Sequence, residues 1–183
     1  MSQDVDIDPA DSLTAGAVGQ PGRRVFMLQA TQGTETYSWV LEKEQVTALA
    51  RASYELLSQI GQHEMTKELL GKGPLGASTP EFDQAMALRP DQPAFRIDAG
   101  TITMRYDDSR NVIELSFSEL TESEMDLGAT VRVVVTPRQL AAFGIQGMKV
   151  VAQGRPTCPL CGHPMEPDGH ICPATNGHNP RAR

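Results

Sequence analysis

The stretch 23–60, RRVFMLQATQGTETYSWVLEKEQVTALARASYELLSQI, reads as strand, turn, strand and helix in unbroken succession. Arg23–Ala30 and Thr36–Leu41 are enriched in aromatic and β-branched residues. Residues two apart on a strand share a face, so Phe26 pairs with Leu28 on the first run, and Tyr37 with Trp39 and Leu41 on the second. Thr31-Gln32-Gly33-Thr34 between them predicts a hairpin turn. From Glu42 the period changes. At about 100° per residue, Val46, Leu49, Ala50, Ser53, Leu56, Leu57 and Ile60 gather on one side, while Glu44, Gln45, Thr47, Arg51, Glu55, Ser58 and Gln59 fall opposite. This is a half-buried helix over 42–60 packed on a sheet, and Gly61 ends it.

The C-terminal half repeats the order. Phe95–Tyr106 is extended, with Gly100 marking a bulge, and Asp107–Asn111 is a turn. Val112–Leu120 alternates, with Ile113, Leu115 and Phe117 on one face. Ala129–Val135 is a further strand. Thr136 then caps a second helix, with Pro137 in its first turn, that runs to about Gln153. Gln45-Val46-Thr47-Ala48-Leu49 and Gln139-Leu140-Ala141-Ala142-Phe143 follow their strands in the same way. The reading is an α+β fold: two strand-strand-helix units share one antiparallel sheet that the helices cover. The second helix has a narrow polar arc, and Gly144 and Gly147 within it permit a close backbone approach. Its remaining surface calls for a second cover, supplied by the C-terminal module or by another subunit.

Three segments lie outside those units. Residues 1–22, rich in Asp, Gly and Ala, predict a flexible lead. Residues 61–94 predict a variable insertion with short helices over Gln62–Leu70 and after Ser78. Residues 154–183 form a separate C-terminal module, leaving 23–153 as the main domain. Asp4, Asp6, Asp8 and Asp11 without a basic residue are unlike a secretory signal, and no apolar run approaches the length of a membrane span.

All three cysteines lie in the C-terminal module: Cys158-Pro159-Leu160-Cys161-Gly162, then His170-Ile171-Cys172-Pro173. A Cys-x-x-Cys turn presents two thiolates at the spacing of half a tetrahedral zinc site. His170 and Cys172 supply the other half, with His163 and His178 as rivals for the fourth position. The expectation is one structural zinc ion on Cys158, Cys161, His170 and Cys172, with no open position for chemistry. Clustered thiols of this kind suit the reducing cytoplasm.

The stretches Leu13-Thr14-Ala15-Gly16, Pro21-Gly22-Arg23, Phe26-Met27-Leu28-Gln29-Ala30 and Leu41-Glu42-Lys43-Glu44-Gln45-Val46 resemble an uncharacterised actinobacterial family. It is a domain of unknown function also described as a conserved repeat protein. The ending, Gly154-Arg155-Pro156 through Cys158-Pro159-Leu160-Cys161-Gly162 to Gly169-His170-Ile171-Cys172-Pro173, is similar as well. The resemblance covers both ends of the chain and leaves 61–94 unmatched. It implies an actinobacterial cytoplasmic protein with a zinc-ribbon-like tail. It also implies genes beside a histidine-phosphatase-like phosphomutase and a phosphoinositide-kinase-like protein. No activity comes with it, so no catalytic residue is carried over.

Charge narrows the function classes. The net charge is −7 and the basic residues are dispersed, which disfavours a footprint on nucleic acid. There is no Gly-x-Ser-x-Gly elbow, Walker loop or dinucleotide fingerprint. Trp39 and Tyr37 read as core rather than as a base-stacking platform, His63 as an exposed residue, and Glu119, Glu122, Glu124 and Asp126 as a solvated acidic loop. The preferred reading is a non-enzymatic binding or adaptor protein, with a protein partner or a second copy on the helix over 137–153. The alternative is an enzyme or enzyme subunit acting on a phosphorylated small molecule, which rests only on the gene neighbours.

Overall fold

The structure is a computed structural model, and it describes residues 4–62, 82, 95–96, 102–119, 129–154, 158–163, 165 and 170–175. In chain order the elements are β1 (Val5–Ile7), β2 (Ser12–Val18), β3 (Val25–Gln32), β4 (Glu35–Leu41) and α1 (Lys43–Gln59). Then follow β5 (Phe95–Arg96), β6 (Thr103–Asp107), β7 (Val112–Ser118), β8 (Thr130–Val135) and α2 (Pro137–Ala152), with a 3-10 turn at Pro173–Thr175. The fold is α+β. Among the described residues no helix is long and apolar enough to cross a membrane.

The hairpin at 31–34 forms with Gln32 opposite Glu35. Gly33 takes a positive φ of 58° at the first central position, as a two-residue turn that follows strand twist demands. Asp11 fixes this turn by accepting a hydrogen bond from the Gly33 amide at 2.6 Å. The turn after β6 is held by Asp107, whose carboxylate accepts from the Ser109 amide at 3.0 Å and the Ser109 hydroxyl at 2.6 Å. Both helices begin on the same device. The Glu42 amide donates to Gln45 Oε1 at 2.6 Å, and the Thr136 amide to Gln139 Oε1 at 2.8 Å. α1 ends on Gly61 at φ 75°, where the Gln62 amide reaches Leu57 O at 2.7 Å and the Gly61 amide Ser58 O at 3.2 Å, satisfying two carbonyls of the last turn.

The strands do not form the single antiparallel sheet expected. They form two four-stranded sheets, ordered β2-β3-β4-β5 and β6-β7-β8-β1. In each, a three-stranded antiparallel meander receives a parallel strand beside its third member: β5 beside β4, and β1 beside β8. The two halves are therefore strict counterparts, β1-β2-β3-β4-α1 and β5-β6-β7-β8-α2, and each lends its first strand to the other's sheet. One offset relates Leu41 to Val135, the cap Glu42 to Thr136, and Gln45 to Gln139. The short echo in the sequence marks this duplication.

Exchange of first strands corrects two expectations. The extended stretch 95–106 is not one strand, because its start pairs with β4 while Thr103–Asp107 pairs with β7. Residues 1–22 are not a flexible lead from residue 4 onward, because β1 and β2 lie there. β1 alternates, with Val5 and Ile7 inward and Asp6 outward. Ile7 and Leu13 are fully buried, and so is Ala15. The small residues of β2 look like linker composition but serve close packing: a Cβ on Gly16 would clash with the ring of Phe82. The expected helices over 62–70 and after Ser78 fall outside the described residues, apart from Gln62 and Phe82.

The inner faces of both sheets share one core. Trp39 of β4 meets Phe117 of β7 edge to face, with ring centroids 5.1 Å apart, and Tyr37 stacks on Trp39 at 6.1 Å. Leu28, Leu41, Ile113, Leu115, Val131, Val133 and Val135 complete it. The link from β1 to β2 crosses between the sheets, donating from Ala10 N to Val134 O at 2.8 Å and from Asp11 N to Thr31 O at 2.9 Å. Gln139 secures the crossing through its side-chain amide, which donates to both Ala10 O and Asp11 O at 2.9 Å.

α2 packs on β2 and against α1, so the second cover that its narrow polar arc demands is α1. A Cβ on Gly144 would lie 3.4 Å from Ala50 O and from Ser53 Cβ, and one on Gly147 would lie 3.4 Å from Ala50 Cβ and Val46 Cγ1. The pairings run in opposite directions along the two helices, which are thus antiparallel. Under the offset Ala50 corresponds to Gly144 and Ser53 to Gly147, so the helix crossing sits on the pseudo-twofold axis of the duplication.

Outward, the first sheet-exchange strand is locked by charge. Arg132 on β8 reaches Glu114 at 2.9 Å, Asp6 at 2.8 Å and Asp8 at 3.0 Å. Arg110 clamps Asp8 with two bonds, of 2.9 and 2.7 Å. The Arg110 guanidinium, aided by Arg132, outweighs partial desolvation and holds the Asp8 carboxyl at about 2, below its ordinary 3.8. Arg132, with Arg105 beside it, likewise lowers Glu114.

Two outcomes follow from this packing. A pKa depressed by folding contributes stability that is complete above the ordinary carboxyl value and lost as pH falls through the folded one. Thermal midpoints of the wild type should therefore decline between pH 4 and pH 2, and Asp8→Asn should start lower and decline less over the same window. Gly147→Ala should be neutral or stabilise by up to about 1 kcal/mol through helix propensity. Gly147→Leu should cost roughly 1–3 kcal/mol by forcing the helices apart; urea titration followed by circular dichroism measures both.

Candidate metal centre

Cys158–Gly162 folds as a tight knuckle. The Gly162 amide donates to Cys158 O at 2.8 Å, the Cys158 amide donates to His163 O at 2.8 Å, and Gly162 takes a φ of 73° that a side chain would resist. The backbone amides of Cys161 and Leu160 point at the Cys158 sulfur and lower its pKa by favouring the thiolate. The His163 amide does the same for Cys161, but desolvation and the neighbouring Cys172 and Cys158 sulfurs outweigh it and push that thiol up. Crowded sulfurs that repel one another as anions call for a cation among them.

His170 and Cys172 arrive from the second arm, which the turn at Pro173–Thr175 closes. The donor atoms of Cys158, Cys161, His170 and Cys172 all lie within 4.8 Å of one another. Cys158 Sγ and Cys172 Sγ are 3.8 Å apart, and Cys161 Sγ is 3.2 Å from His170 Nε2. A tetrahedron with zinc–sulfur bonds of about 2.3 Å has sulfur–sulfur edges of about 3.8 Å. The donor set therefore fits a soft or borderline divalent ion in four-coordination. Cys158 and Cys172 are buried, while Cys161 and His170 are half-buried, and no disulfide links the three thiols. An ion held by all four donors would have no position left for a reacting water, which is the arrangement of structural rather than catalytic sites.

His163 is exposed and takes part through its backbone carbonyl. His178, His63, Glu122, Glu124 and Asp126 lie outside the described residues. Glu119 is not part of a solvated loop: it is buried, and its amide bonds to Ala129 O at 3.0 Å. Trp39 lies in the core at 2% exposure, so it offers no stacking platform.

The chain belongs to the DUF3090 family. The profile of that family, a protein of unknown function, matches residues 5–172, from the first residue of β1 to the last cysteine. No curated protein and no solved structure matches the chain. Membership thus extends over both exchanged halves and all four donors of this DUF3090 chain, and it brings no activity with it.

Sequence reasoning missed two features. One is the Arg132 network, whose signal was the alternation of Asp4, Asp6 and Asp8 in a segment read as a lead. The other is a groove of about 320 Å3 between α1 and α2, with Tyr54 and Met148 on its walls and Gly144 in its lining. Its signal was the pair of glycines in an otherwise apolar helix.

Purified under reducing conditions without chelator, the protein should carry one equivalent of zinc by elemental analysis. Cys172→Ser should reduce this to near zero, and His163→Ala should leave it unchanged. A full equivalent in Cys172→Ser would refute the donor assignment.

Proposed function

We propose that this protein is a non-enzymatic binding or adaptor protein of the cytoplasm whose C-terminal segment is stapled by structural zinc. The observation that carries this reading is the closed donor set, three thiols and an imidazole within 4.8 Å of one another. Such a site contributes folding free energy, on the order of 10 kcal/mol for structural zinc, and does no chemistry of its own. The thiols need a reducing compartment to remain metal ligands.

The apolar groove between α1 and α2 supports the binding half of the proposal. Met148 is 45% exposed and Tyr54 52% exposed beside it. Contiguous apolar walls of this kind mark interaction surfaces. The net charge of −7 argues against nucleic acid as the partner, which leaves protein. A kinase-like or phosphomutase-like protein encoded nearby is the candidate that the family resemblance offers.

Affinity capture from native lysate, with and without a zinc chelator, tests this. The expected result is a protein partner recovered from the metal-loaded protein and lost from Met148→Asp. Capture of a specific nucleic acid, or turnover of phosphorylated small molecules by the purified chain, would overturn it.

A further inference from the structure

The walls of the groove repeat the internal duplication. Under the offset relating the two halves, Ala50 corresponds to Gly144, Arg51 to Ile145 and Tyr54 to Met148, and all six line the groove. It therefore straddles the pseudo-twofold axis. On each helix these positions recur at spacings of three and four residues, the seam by which one helix layer packs on another. A face composed of two antiparallel helices with such a seam is half of a four-helix layer.

Charge on this face selects the occupant. Arg51 and Glu55 are exposed, lie one helical turn apart, and flank Ser53 symmetrically on α1. Neither pairs within the chain among the described residues. When α1 of a second copy lies antiparallel over the exposed side of α1, with the twofold axis crossing at the level of the buried Ser53, each Arg51 faces the other copy's Glu55. This satisfies the condition for an isologous interface, in which residue i meets j and j meets i. The aromatic Tyr54 and the thioether Met148 then fill the grooves of the opposite copies.

We propose that the α1–α2 face is a homodimer interface: a second copy of this chain occupies the groove and forms a four-helix layer with paired Arg51 and Glu55. This rests on the binding-protein reading only for treating the groove as a docking face, and a different protein captured through the groove competes with the second copy for it. Two helices about 25 Å long, side by side across about 20 Å, present on the order of 500 Å2 per copy. That is the low end for a specific interface, so the dimer forms and dissociates with concentration rather than being obligate.

Analytical ultracentrifugation of the purified, metal-loaded full chain over a concentration series decides it. Wild type should show a reversible monomer–dimer equilibrium. Met148→Asp should raise the dissociation constant at least about tenfold. Arg51→Glu, which sets like charges across the axis, should raise it about tenfold, and Arg51→Glu with Glu55→Arg should restore it to within about threefold. Circular dichroism melts show that each variant is folded, as expected for changes at exposed positions. A wild type that stays monomeric throughout overturns the proposal, as does a dimer indifferent to Met148→Asp or a double variant that fails to recover. A monomer that still captures a protein from lysate refutes the dimer and leaves the binding-protein reading standing. A dimer that captures nothing does the reverse.

Discussion

Edge-to-face contact between Trp39 and Phe117 joins the inner faces of two sheets that neither half of the chain could complete alone. Each sheet takes its fourth strand from the other half, so the apolar layers of both must meet before either is finished. Such an arrangement makes the interior one cooperative unit rather than two stacked ones. It also explains why α1 and α2 cross where they do: both helices follow the third strand of a meander, and the pseudo-twofold axis brings their small residues together. Ala50, Ser53, Gly144 and Gly147 are small at that crossing, where large side chains would hold the helices apart.

The exchanged N-terminal strand shows how polar groups can set register without contributing much energy. β1 has only three residues paired with β8, too few to define alignment by hydrophobicity alone. A slip by one residue would turn Asp6 inward and Ile7 outward. Arg132 and Arg110 make that slip costly by holding Asp6 and Asp8 on the outer face. Exposed ion pairs contribute modestly each, but here three carboxylates and three guanidinium groups form one network, and their geometry rather than their energy is what matters. Gln139 adds the last restraint, since the side chain that accepts from the Thr136 amide at the start of α2 also holds the chain where it passes between sheets.

The segment after α2 follows different physics. It has few apolar side chains to bury, and two that it carries, Leu160 and Ile171, are 64% and 76% exposed. A stretch this poor in core must be held by something other than burial. The four donors can supply it, because a metal ion held among them would join two short arms through bonds that need no apolar volume. Amides directed at Cys158 and a left-handed Gly162 shape one arm without the help of an ion.

Much of this was legible in the linear chain because it depends on neighbours in sequence. Hairpin turns, both helix starts, the stop at Gly61 and the Cys-x-x-Cys knuckle are local: each needs a few residues of defined type at defined spacing, and each formed where the residues placed it. The α+β class followed from the alternation and its change of period. What the chain did not reveal is which strand lies beside which. A β-strand shows its faces in its own sequence but not its neighbours, so Val5–Ile7 and Ser12–Val18 looked like a lead, and Phe95–Arg96 looked continuous with Thr103–Asp107. Likewise an apolar helix announces that it needs cover without naming it, and only the antiparallel crossing made α1 that cover and left a groove beside it. Two sheets instead of one, the exchange of first strands and the Arg132 network all arise from pairings between residues far apart in the chain, which is information that tertiary structure alone contains.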